Sequence, residues 1–137
     1  MMNARFVLRG RARGFALATA LILGAAVALA APLYHAELKK SEPADKAVLT
    51  APPTELRLWF SEPPSLTLSK VTLTRGTDTV TVGRLTKAKP DSAPIVVKIT
   101  KPIAPGVYVV HWRAMPDDGH VSNGTFGFRV KTKAANH

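Results

Sequence analysis

The chain has 137 residues, no cysteine and a formal net charge of +10. Without a thiol it has neither a disulfide framework nor a lipid-modified cysteine. Its basic runs, Lys39-Lys40 and Lys131-Thr132-Lys133, lie near the ends without aromatic residues interleaved for stacking on bases, so nucleic acid is not the expected partner.

Residues 1–30 are expected to be a signal peptide. Met1 to Gly14 carry Arg5, Arg9, Arg11 and Arg13 and no acid, and an uncharged apolar run from Phe15 to Ala31 follows, the layout of a secretory signal. Ala28-Leu29-Ala30 places small residues where a signal peptidase reads them, so the expected cut falls before Ala31. The uncharged stretch reaches Leu33, about 19 residues and long enough to span a bilayer. The alternative is therefore an uncleaved anchor, and this segment is the only membrane contact expected. Cleavage leaves residues 31–137, enough for one core and not two. With the four signal arginines gone the charge falls to +6, which fits at most a weak preference for anionic envelope surfaces.

A first strand is expected over Ala36 to Lys40. Leu56, Leu58 and Phe60 then alternate with Arg57, Trp59 and Ser61, the pattern of a half-buried strand. Val71 and Leu73 mark the next, Val80, Val82 and Leu85 a third, and Ile95, Val97 and Ile99 a fourth. Gly106 opens a longer run to Ala114, in which Tyr108, Val110 and Trp112 share one face and Val107, Val109 and His111 the other. Phe126, Phe128 and Val130 close the series, with Asn123-Gly124-Thr125 read as a turn leading into it. The prolines from Pro52 to Pro116 fall between these runs, where a missing amide donor harms no ladder. About seven short strands predict an all-β, immunoglobulin-like Greek-key sandwich over residues 31–130, followed by a basic disordered tail, 131–137. Phe60, Tyr108, Trp112, Phe126 and Phe128 supply the large apolar areas such a core needs in place of disulfides.

The chemistry concentrates in Asp118-Gly119-His120, between the strand ending near Trp112 and the one led by Phe126. An Asp and a His two residues apart in extended chain point the same way and can converge on one ion. If the fold brings His35 to the same rim, the donors become two imidazoles and a carboxylate, a set that suits Cu(II) or zinc. The competing readings are ordinary ones: Asp118 as a turn residue satisfying local amides, His120 as an exposed loop histidine, and His35 as a frayed terminal residue. His111 is assigned to the surface or to a supporting role, Met115 to packing, and the terminal His137 to the disordered tail.

These pieces occur in a distinctive order: His35-Ala36-Glu37-Leu38, Ser41-Glu42-Pro43-Ala44-Asp45, Leu58-Trp59-Phe60-Ser61-Glu62, Gly106-Val107-Tyr108, Trp112-Arg113, Asp118-Gly119-His120 and Gly124-Thr125-Phe126-Gly127-Phe128. Together they resemble the CopC family of periplasmic copper-binding proteins. The resemblance implies a seven-stranded sandwich that binds copper without catalysis and serves copper resistance, buffering or transfer, with an inner-membrane copper transport protein as exchange partner. It carries the Cu(II) ligands over to His35, Asp118 and His120, and more weakly to Glu62 as an added oxygen donor. The methionine-rich Cu(I) stretch of many members has no counterpart, since Thr86 to Lys98 contains neither methionine nor histidine. One Cu(II) site and no dedicated Cu(I) site are therefore expected.

The expected cut before Ala31 places His35 four residues downstream of the new terminus, whereas in the family the histidine usually follows the cut and adds its α-amine. The fourth donor then falls to water, Glu62 or the amine of Ala31. Val121 replaces a frequent proline and should loosen the loop slightly. Two other functions remain: an immunoglobulin-like interaction module without metal, and a copper oxygenase, which is disfavoured by the displaced terminus and the absence of a substrate cleft.

Overall fold

The structure, a computed structural model, describes residues 35–133. The expected signal peptide, its cleavage site and the end of the basic tail, His137 included, lie outside the described residues.

Period-two alternation of apolar side chains builds nine strands: β1 (Leu38–Glu42), β2 (Ala47–Leu49), β3 (Glu55–Phe60), β4 (Lys70–Arg75), β5 (Asp78–Val80), β6 (Val82–Lys87), β7 (Ile95–Ile99), β8 (Gly106–Ala114) and β9 (Ser122–Val130). They form two sheets, ordered β1-β3-β7-β6 and β2-β9-β8-β4-β5. All pairings are antiparallel except β2 with β9. Each strand sends alternate residues between the layers, where Leu56, Leu58, Leu73, Ile95, Val97, Tyr108 and Val110 are almost fully buried. The fold is the expected all-β sandwich, closed by packing alone.

Three elements differ from the sequence pattern, each for a physical reason. Val80, Val82 and Leu85 do not share one strand: Val80 pairs with Leu73 in the five-stranded sheet, whereas Val82 pairs with Ile99 in the other. The chain crosses between layers at Thr81, and the register slips between Val82 and Leu85, where the spacing of the apolar residues lengthens from two to three. β2 has only three residues, too few to show a period, and is recruited by its ladder with Phe128 to Val130. β9 begins at Ser122, not Phe126, because Asn123, Gly124 and Thr125 continue the ladder opposite Arg113, Trp112 and His111. The apparent turn is strand.

Aromatic pairs lie toward both ends of the sandwich. Tyr108 stacks on Phe128 at 5.4 Å between ring centroids, and its hydroxyl donates to the Ala104 carbonyl, the tyrosine corner of Greek-key sandwiches. Tyr108→Phe keeps the stack and deletes only that bond. It should destabilise the domain by about 1–2 kcal/mol, read as a lower urea midpoint at unchanged slope. Toward the other end Phe60 meets Trp112 edge to face, with centroids 5.2 Å apart, and Gly124 gives the indole its room: a Cβ there would stand 2.7 Å from Trp112 Cζ2.

Candidate metal centre

The end of the sandwich beyond the Phe60–Trp112 pair brings His35 together with Asp118 and His120 from two separate segments. On one side the chain entering β1 is clasped to the residue after β3. Ser61 N–H donates to Glu37 O at 2.8 Å, Glu37 N–H donates to Ser61 Oγ at 2.9 Å, and that hydroxyl donates to His35 O at 3.1 Å. One serine thus holds the backbone of both His35 and Glu37. Leu38 pairs with Phe60 in the adjoining ladder, so the clasp sits on the core.

The opposite side is the loop between β8 and β9. Its start is tied to the β3–β4 connection by Ser65 N–H donating to Met115 O at 2.9 Å and Met115 N–H donating to Ser69 Oγ at 3.0 Å. Pro116 O then accepts Gly119 N–H at 3.0 Å, closing a turn in which Gly119 takes φ +84°, a conformation glycine adopts at little cost. The turn lets Asp118 fold back on His120: Asp118 Oδ1 accepts the His120 backbone N–H at 3.1 Å, and Oδ2 lies 3.3 Å from His120 Nδ1. Asp118 thus satisfies a loop amide, as a turn residue would, and its second oxygen faces an imidazole.

The His35 and His120 rings meet edge to face, with centroids 5.9 Å apart and planes at 85°. The structure brings together His35, Asp118 and His120, and all three are exposed. Glu62 follows Ser61 directly and is half-buried, yet no hydrogen bond or ion pair among the described residues joins it to the other three. Nor do any three His, Asp or Glu side chains among the described residues already stand in a coordinating arrangement.

The donors nevertheless fit an ion. Two imidazoles bound to one metal at about 2.0–2.1 Å place their ring centroids roughly 4.5 Å apart when adjacent and roughly 6.3 Å apart when opposite. The observed 5.9 Å falls within that span, and the three side chains are exposed. Electrostatics also favour the ionised form of Asp118. The His120 backbone N–H first, then the His120 and His35 rings, hold the Asp118 carboxyl below its ordinary 3.8. Because the native value is lowered, the stabilisation this carboxylate gives its loop is present above the ordinary value and lost as pH falls through the lowered one. A carbon-detected titration should accordingly show the Asp118 carboxyl protonating below pH 3.8 in the metal-free protein.

Glu37 lies beside His35 on the same rim, within the His35-Ala36-Glu37-Leu38 motif but not among the expected donors. Its carboxylate is lowered chiefly by Lys39, whose Nζ donates to Oε2 at 2.6 Å, with a smaller contribution from His35. His111 lies elsewhere, exposed on the outer face of the five-stranded sheet with Nε2 3.1 Å from Thr74 Oγ1. Met115 is half-buried, consistent with packing.

Comparison with known proteins places this geometry in context. The CopC domain profile matches residues 38–131, a stretch that takes in Glu62, Asp118 and His120 and begins just after His35. Copper resistance protein C of Xanthomonas campestris pv. juglandis is 34% identical over 119 residues, covering 82% of this chain and 93% of that protein. Protein YobA of Escherichia coli K12 is 31% identical over 99 residues, 71% of this chain and 79% of its own length. Among solved structures, PcoC, a methionine-rich copper resistance protein from Escherichia coli, superposes with a TM-score of 0.63 at 29% identity over 72% of this chain and all of that one. CopC from Methylosinus trichosporium OB3b gives a TM-score of 0.67 at 22% identity, covering 75% of this chain and 100% of that one, a likeness of fold.

Proposed function

The chain belongs to the CopC domain family, and on that premise we propose that it is a noncatalytic, exported copper-binding protein that serves copper resistance by buffering or handing on one Cu(II) ion. His35 and His120 supply imidazole nitrogen and Asp118 a carboxylate oxygen, with Glu62, next to the Ser61 clasp, as an added oxygen donor. The observation that carries this reading is the edge-to-face meeting of the His35 and His120 rings at 5.9 Å, with the Asp118 carboxylate against one of them. Nitrogen and oxygen donors of this kind bind Cu(II) above the other common divalent ions.

The site is open to water and needs no folding step to load, which suits a carrier whose cargo must also leave. Soft sulfur donors select Cu(I), and here Met115 is the sole methionine after Met2. PcoC of Escherichia coli, by contrast, is a methionine-rich copper resistance protein. Export to the periplasm follows from the amino-terminal segment, and the exchange partner is an inner-membrane copper transport protein.

Titrating the metal-free protein with Cu(II) should quench tryptophan fluorescence and raise a weak visible band, both saturating at one equivalent, with zinc competing poorly. Failure to saturate at one equivalent would reject the reading. Adding Cu(I) under reducing conditions should reveal no second site of comparable strength. Intact mass of the exported protein should correspond to a chain starting at Ala31.

A further inference from the structure

The outer face of the five-stranded sheet carries a feature the copper reading leaves unused. Because β4, β8 and β9 are neighbours, the register sets Lys70 opposite Arg113 and Arg113 opposite Asn123 in one cross-strand row, and Thr72 opposite His111 and His111 opposite Thr125 in the next. These six residues line an open hollow of about 410 Å³. No carboxylate lines it.

Like charges set directly opposite on a sheet destabilise it, and several cations of the other layer are compensated. On the four-stranded layer Lys39 pairs with Glu37, Lys40 with Glu42, and Arg57 with both Glu42 and Glu55, while Lys87 at the end of β6 pairs with Asp91. Among the described residues no ion pair includes Lys70, His111 or Arg113. Two of the three are also held in place. Arg113 Nη1 donates to Leu68 O at 3.1 Å, and His111 Nε2 lies 3.1 Å from Thr74 Oγ1. A guanidinium has five donor hydrogens, so most of Arg113's stay available, as do the three of Lys70 and the amide of Asn123.

Uncompensated cations opposite one another, steadied by backbone and hydroxyl partners and flanked by neutral donors, describe a cradle for a counter-anion. A carboxylate offers two oxygens in one plane; this array presents donors from two rows and three strands, which suits a tetrahedral group. We propose that the hollow formed by Lys70, Thr72, His111, Arg113, Asn123 and Thr125 binds a phosphate-class oxyanion, free or carried by a lipid headgroup. It stands on the outer sheet face and makes no use of the copper ligands.

The test uses the exported protein without metal and inorganic phosphate as probe, followed by amide chemical shifts. Phosphate should shift resonances of β4, β8 and the first half of β9, and Lys70→Gln with Arg113→Gln should weaken that binding about tenfold or more. Arg84→Gln with Lys98→Gln removes the same charge from exposed positions of the other sheet and should change it by less than twofold. Both pairs sit at exposed positions, so unchanged melting midpoints confirm that each variant is folded. Vesicles of phosphatidylglycerol, with phosphatidylcholine as reference, separate the sources. Sedimentation with the anionic vesicles that the site variant loses and phosphate competes away assigns a headgroup, whereas phosphate binding without vesicle binding assigns a free anion. The proposal is overturned if phosphate shifts none of these strands, or if the two double variants lose binding equally, since the effect is then general charge.

Discussion

Replacing His120 by alanine should weaken Cu(II) binding by about 100-fold or more. Loss of a group that merely orients a metal ligand costs 10–100-fold, and His120 is proposed as a ligand itself. Its removal also leaves His35 and Asp118 without the ring that stands between them, 5.9 Å from one by centroid and 3.3 Å from the other by Nδ1. The fold should be unaffected, because the side chain is exposed and the loop is held through backbone groups that alanine retains, His120 N–H to Asp118 and Gly119 N–H to Pro116. Thermal midpoint and far-UV spectrum therefore serve as internal controls. His111→Ala is the matching negative: it removes an imidazole from the outer sheet face and should leave the copper titration unchanged. Wild-type affinity in the His120 variant would end the proposed metal centre, whatever the family membership.

Gly124→Ala is expected to destabilise the domain by about 1–3 kcal/mol, the usual range for forcing atoms into a packed site. The new methyl would stand 2.7 Å from Trp112 Cζ2 and 2.9 Å from Cε2, closer than carbon atoms approach, so the indole must move. It cannot do so freely, because Phe60 abuts it edge to face and Phe60 in turn pairs with Leu38 at the start of β1. At about 4–8 °C per kcal/mol for a domain of this size, the midpoint should fall by several degrees or more, with altered tryptophan emission. Since the displaced rings lie under the segment that carries His35, copper affinity should fall modestly too. An unchanged midpoint would show that the indole has slack the packing does not suggest.

The long strands were legible because burial on one face imposes a period of two, and β3, β7 and β8 follow it from end to end. Legibility failed where local chemistry resembled something else. Asn123-Gly124 looks like a turn, yet the glycine is there to clear an indole across the ladder. Val80 and Val82 look like one strand, yet period two cannot distinguish a continuing strand from a chain that changes layers. At the rim, Asp118 and His120 announce themselves because their two-residue spacing carries chemistry. His35 was identified through resemblance to a family. Ser61 was invisible as anything but a surface serine, because what it binds is backbone, and backbone partners leave no trace in side-chain pattern.

That same serine anchors the amino-terminal side of the rim. Its hydroxyl grips the chain at His35 O and Glu37 N, so a change at position 61 should disturb the seat of the His35 imidazole although Ser61 itself offers no ligand.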